Sequence, residues 1–143
     1  MAGSKAPISS ILSSVALAVV TLSVFWVERD TGPSGVVKMF NLLVQSEQLD
    51  RLDTVSLALG DYEAASRLNY SVLLAQEVFK QHGEFTIVDT QVNGRNALVS
   101  GAYQVGQRRL ITYWILTRSP DGWKINFYDT SRYMDEMHMR GQN

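Results

Sequence analysis

Residues 84–128 read EFTIVDTQVNGRNALVSGAYQVGQRRLITYWILTRSPDGWKINFY, and the period of this stretch decides the fold class. Thr86, Val88, Thr90 and Val92 alternate with Phe85, Ile87, Asp89 and Gln91, the two-residue repeat of a strand. Asn93-Gly94 tolerates positive φ at both residues and predicts a type I′ hairpin turn. The chain returns as a second strand over Arg95 to Tyr103, and Val105-Gly106-Gln107 supplies the next turn. Arg109 to Thr117 is the third strand, with Ile111, Tyr113 and Ile115 on one face and Leu110, Thr112, Trp114 and Leu116 on the other. Ser119-Pro120-Asp121-Gly122 turns again. Trp123, Ile125 and Phe127 then point inward on a fourth strand, opposite Lys124, Asn126 and Tyr128. Because both faces of the third strand are apolar, the sheet is expected to enclose a pocket on one side and meet a partner on the other.

Upstream the period is helical. Thr31-Gly32-Pro33-Ser34-Gly35 precedes an amphipathic segment carrying Val36, Val37, Phe40, Leu43 and Val44, with Lys38, Asn41, Gln45 and Glu47 largely between them. Leu49, Leu52, Val55, Leu57 and Leu59 continue the apolar supply as far as Gly60. Asp61 is an N-cap for a short helix through Leu68. Leu73, Leu74, Val78 and Phe79 mark a further helix, closed by Lys80, His82 and a left-handed Gly83. Helices followed by a four-strand antiparallel meander make an α+β domain, with the helices packed on one sheet face.

The first thirty residues differ in character. Ile8 to Val27, ISSILSSVALAVVTLSVFWV, contains no charge over twenty residues. As a helix it would extend about 30 Å, enough to cross the hydrocarbon layer. Phe25-Trp26 suits the headgroup region, and Lys5 on the near side gives a weak positive-inside bias. The expectation is a cytoplasmic stub and single transmembrane helix over 1–30, a domain over 31–132 on the far side of the inner or cell membrane, and a polar Met-containing tail over 133–143. A cleaved signal peptide and a buried globular helix compete with this reading. The small residues of the run, Ser13 and Ala16 among them, are candidates for packing against another membrane helix.

The segments RLITYWILTRSPDGWKINFYDTS at 109–131 and GDYEAASRLN at 60–69 resemble the NTF2-like (SnoaL-like, ketosteroid-isomerase-like) superfamily. The similarity covers roughly residues 35–132. It implies a cone in which a curved sheet wraps around helices, often dimerising through the sheet. Together with the N-terminal span, the arrangement is similar to VirB8-like assembly proteins of secretion machines.

Composition narrows the chemistry. The chain has 143 residues, a formal net charge of −1 and a pI near 6.1, so nothing favours nucleic acid as a partner. It has no cysteine, which excludes disulfides, thiol catalysis and thiolate metal sites. Its two histidines, His82 and His138, lack metal-ligand spacing. No glycine pattern forms a dinucleotide or phosphate loop, and no cofactor is expected. For catalysis the resemblance offers only Asp89 or Asp129 as a proton-abstracting base, with Tyr103 or Tyr113 as an oxyanion donor. Trp114, Met134 and Met137 are further interface candidates. The function expected from these features is a non-enzymatic accessory or scaffold subunit of a membrane complex, or a homo-oligomer. The alternatives are a membrane-tethered enzyme or small-molecule binder with an acid/tyrosine pocket, and a secretion-system assembly component.

Overall fold

The computed structural model describes residues 32–141. Helix α1 spans Pro33–Gln45. A 3₁₀ helix, η1, covers Leu49–Thr54, and helix α2 covers Tyr62–Lys80. Strands β1 (Glu84–Asn93), β2 (Asn96–Val105), β3 (Arg108–Ser119) and β4 (Gly122–Ile125) follow. Helix α3, Phe127–Gly141, ends the described chain.

The strands form one antiparallel sheet in the order β1-β2-β3-β4, the expected meander. All three hairpins are two-residue connections, closed by the pairs Asn93↔Asn96, Val105↔Arg108 and Ser119↔Gly122. In the first, the loop residues are Gly94 and Arg95, and of these only Gly94 has positive φ, at 62°. That is the pattern of a type II′ turn, with glycine at the first central position, instead of type I′.

The inner sheet face reads Ala97, Val99, Gly101 and Tyr103 on β2 against Leu116, Trp114, Thr112 and Leu110 on β3. Val37, Phe40, Leu43 and Val44 of α1, and Ala64, Ala75 and Val78 of α2, close the core with them. Gly101 has a steric role. A Cβ there would lie 2.4 Å from the Phe85 ring and 2.9 Å from Trp114. Its absence lets Phe85 lie across the sheet and meet Trp114 edge-on, with centroids 5.3 Å apart.

The helical half departs from its expected boundaries. The two helices expected on either side of Leu68 are one continuous 19-residue helix. Asp61 does cap it, its carboxylate accepting from the Ala64 N–H at 2.8 Å. At the other end the left-handed residue is His82, with φ of 59°, not Gly83. The Gly83 N–H bonds back to the Val78 carbonyl at 2.8 Å, and the His82 N–H to Phe79 at 3.1 Å, forming a Schellman cap. Gly83 is needed for closeness instead, since a Cβ would stand 2.6 Å from Val78 and 2.8 Å from the Gln104 carbonyl oxygen.

The fourth strand stops after Ile125 although the alternation continues to Tyr128. The Asn126 side-chain oxygen accepts from the Asp129 N–H at 2.9 Å, and its amide donates to the Asp129 carboxylate at 3.0 Å. This side-chain cap starts α3, so Phe127 reaches the core from a helix and meets Phe40 at a tilt of 54°, with centroids 5.8 Å apart. The expected tail from 133 is therefore part of a helix through Gly141. Thr130, one turn in, takes over the strand's role. Its hydroxyl accepts from the Ile115 N–H at 2.9 Å and donates to the Asn126 carbonyl at 2.7 Å. Asn126→Ala is expected to lower the unfolding free energy by about 1 kcal/mol, measured as a shift of the urea midpoint at unchanged slope.

The sheet is open, with no pairing between β1 and β4, so the cone implied by the family resemblance is not found as a closed barrel. The outer edge of β4 is covered by the segment after η1. Leu57 donates to the Ile125 carbonyl at 2.9 Å, and Ile125 to Val55 at 2.8 Å, a short parallel bridge centred on Ser56. Residues 8–27, with Ser13 and Ala16, lie outside the described residues. Among the described residues no helix is long and apolar enough to cross a membrane.

Candidate functional site

The acid and tyrosine candidates do not converge. Asp89 follows a bulge in β1 and pairs with Ser100, whereas Tyr103 pairs with Phe85. Ser100 and Tyr103 are three residues apart on one strand and therefore face opposite sides of the sheet. Asp89 is exposed, and its carboxylate accepts from the Gln91 amide at 3.1 Å. Asp129 belongs to the α3 cap. Tyr113 is half-buried with its ring against Tyr133, centroids 5.5 Å apart. Tyr103 is buried, and its hydroxyl donates to Asn41 Oδ1 at 2.5 Å. Burial pushes its phenol well above the usual range, so it stays a neutral donor at physiological pH.

The space where the sheet was expected to enclose a ligand is filled. Arg67, Leu74, Tyr103, Trp114, Thr130 and Met134 surround a cleft of about 10 Å³, room for one water at most. Trp114 is 2% exposed and belongs to the core, not to an interface. Met134 lines the filled cleft, and Met137 is exposed on α3.

Open volume lies elsewhere. A mixed polar cleft of about 400 Å³ separates α1 from the start of β1, between Lys38, Gln45, Phe79 and Glu84. A larger groove of about 730 Å³ runs between η1 with its following segment and α2. Leu49, Leu52, Leu57 and Leu59 form one wall, and Leu68 and Val72 of α2 form the other. Leu49 and Leu59 remain 41% and 40% exposed, so their apolar surface lines an unfilled trough.

The groove follows from the local period of its first wall. Side chains three apart eclipse on a 3₁₀ helix. In LDRLDT at 49–54 this stacks Leu49 on Leu52 and, in the neighbouring row, Asp50 on Asp53. The third row turns to the backbone and to its own neighbours. Arg51 donates to the Gln48 side-chain oxygen at 3.1 Å, and Thr54 to the Arg51 carbonyl at 2.6 Å. The bridge from Val55 and Leu57 to Ile125 then ties this wall to the sheet. The leucines of 49–59 carry the apolar pattern of core supply, which hides the groove. The three-residue repeat L-D-x-L-D-x was the available signal.

Among the described residues, no group of three or more metal-ligating side chains comes together. Comparison with protein-family models, with curated proteins and with solved structures finds no match to this chain. The expected membership of the NTF2-like superfamily, and the membrane-anchored VirB8-like arrangement, are therefore not upheld. What stands is an α+β domain with a four-stranded antiparallel sheet, an architecture consistent with that fold in general. The membrane-complex, secretion-assembly and lipid-contact expectations rested on those two readings. With no match to any assembly protein and no spanning helix among the described residues, they are withdrawn, as are the extracytoplasmic placement and the tethered acid/tyrosine pocket.

Proposed function

We propose that this is a binding domain that holds an elongated apolar ligand in the groove between η1 and α2. The observation that carries this reading is the contrast between two spaces. The sheet interior is packed with aromatic rings around about 10 Å³, while the peripheral groove offers about 730 Å³ lined by seven aliphatic side chains. That volume suits a small-molecule site, and such sites are mostly apolar with a few polar groups at the rim. Ser56, Asn69, Asp50 and Asp53 are the polar groups present. Both walls are held in place, one by the bridge to β4 and the other by a capped 19-residue helix, so the trough exists before a ligand arrives and little ordering is needed on binding.

The test is titration of the full-length chain with N-phenyl-1-naphthylamine, a neutral probe whose fluorescence rises in apolar surroundings. Saturable enhancement at one site per chain is expected. Leu49→Ser with Leu59→Ser removes two half-exposed side chains and is expected to weaken binding about ten-fold, from the apolar area each contributes. Unchanged affinity in the double variant would show that the probe sits elsewhere and would end this reading.

A further inference from the structure

The groove's charge is one-sided. Asp50 and Asp53 are the charged residues that line it. Both are exposed, and the 3₁₀ period places them in one row beside the Leu49–Leu52 row. Neither carboxylate has a hydrogen bond or ion pair among the described residues. Among the described residues, the two cations bonded to η1 or its flank are engaged elsewhere. Arg51 holds Gln48 at 3.1 Å, and the Lys124 ammonium donates to the Thr54 carbonyl at the far end of η1. On the opposite wall Asn69 is the polar group and carries no charge. The trough therefore combines an aliphatic floor with a doubly anionic rim along one side.

We infer that the ligand is a cationic amphiphile, with an aliphatic body lying along the leucines and a positively charged head against the Asp50–Asp53 row. This inference rests on the groove being the binding site. It adds the head-group charge, which the aliphatic lining alone does not specify. A fatty acid of the same chain length would bring its carboxylate to two like charges, an arrangement that costs binding free energy instead of supplying it. Charge complementarity at an exposed rim is modest in size and is screened by salt, so its signature is a preference that fades as ionic strength rises.

The experiment uses one chain length and three heads. Decyltrimethylammonium, decanol and decanoate are titrated, each below its aggregation threshold, against the full-length chain carrying bound N-phenyl-1-naphthylamine. The expected order of displacement is ammonium, then alcohol, then carboxylate, with the cation favoured over the alcohol about five-fold at low salt. Asp50→Asn with Asp53→Asn is expected to abolish that preference, read as the ratio of the ammonium's affinity to that of decanol in the same variant. Both positions are exposed, so the variant keeps its fold, checked by an unchanged urea midpoint. Equal displacement by all three in the unaltered protein, or a cation preference that survives the double asparagine variant, would overturn the assignment of charge and leave the groove itself standing. Failure of all three to displace the probe, with the leucine variant also without effect, would remove the groove reading and this inference together.

Discussion

Replacing Trp114 with alanine is expected to lower the unfolding free energy by about 3–5 kcal/mol, the range for truncating a large buried aromatic side chain. Trp114 is among the largest fully enclosed side chains, at 2% exposure. It meets Phe85 edge-on at 5.3 Å and Tyr103 at 6.3 Å between centroids. Its place opposite Val99 in the register puts it over the middle of the inner face. The cavity left behind cannot be filled by its neighbours without moving Phe85, whose ring stands 2.4 Å from where a Gly101 Cβ would be. For a domain of this size the loss corresponds to a fall in melting temperature of about 12 °C or more, and it is a large share of a typical total stability of about 5–15 kcal/mol. Trp114→Phe keeps part of the ring volume and should lose less, which separates a packing role from a misfolded product. A melting temperature close to that of the unaltered protein after Trp114→Ala would mean that this side chain does not pack the core.

How far the sequence revealed this arrangement depends on what each residue's local pattern competes with. Residues 84–125 keep a strand period, glycine or Asx marks every turn, and the meander is legible without a structure, but the bulge between Ile87 and Asp89 puts Thr90 and Val92 on the face opposite Thr86. Beyond Ile125 the alternation persists, but Asn126 and Asp129 offer the backbone a side-chain helix cap. A three-residue capping pattern outweighs three more residues of strand period even though β3 runs on to Arg108 beyond its last pairing at Leu116. Trp114 had two apolar faces of β3 to choose from, and alternation places residues on a face without saying which face the helices cover. The Tyr103–Asn41 contact joins residues 62 positions apart, and no local pattern reports it. Asn41, by its spacing on α1, belonged to the polar side. The groove was hidden because leucines at 49, 52, 57 and 59 look alike locally, whereas Leu52 is buried and Leu49 and Leu59 stay 41% and 40% exposed, a difference set by tertiary packing.

Tyr103→Phe removes one oxygen and is expected to destabilise the protein by about 1–3 kcal/mol, the cost of leaving a buried acceptor without its donor. The acceptor is Asn41 Oδ1. Asn41 is 3% exposed, and its amide is already committed to the Val37 carbonyl at 3.0 Å, so the residue cannot turn over to present a different group. Asn41→Leu combined with Tyr103→Phe replaces both polar partners and should recover part of the loss, because no orphan remains. The pH dependence gives an independent check. Burial raises the phenol's pKa in the folded state, whereas in the unfolded chain it ionises near its ordinary value of about 10. Below about pH 10 both states hold the proton, and Tyr103 contributes no pH dependence. Above it the unfolded state loses a proton that the folded state keeps, so stability falls with rising pH by about 1.4 kcal/mol per unit until the folded pKa is reached. The Tyr103→Phe protein lacks this proton, although it keeps every other tyrosine. Its deficit relative to the unaltered protein should therefore be widest at about pH 8 and narrow by roughly 1 kcal/mol at about pH 11. The measurement is a pair of urea titrations at each pH. A gap that stays constant across that range would place the Tyr103 hydroxyl in contact with water and would remove the buried pair from the account of what holds α1 to the sheet.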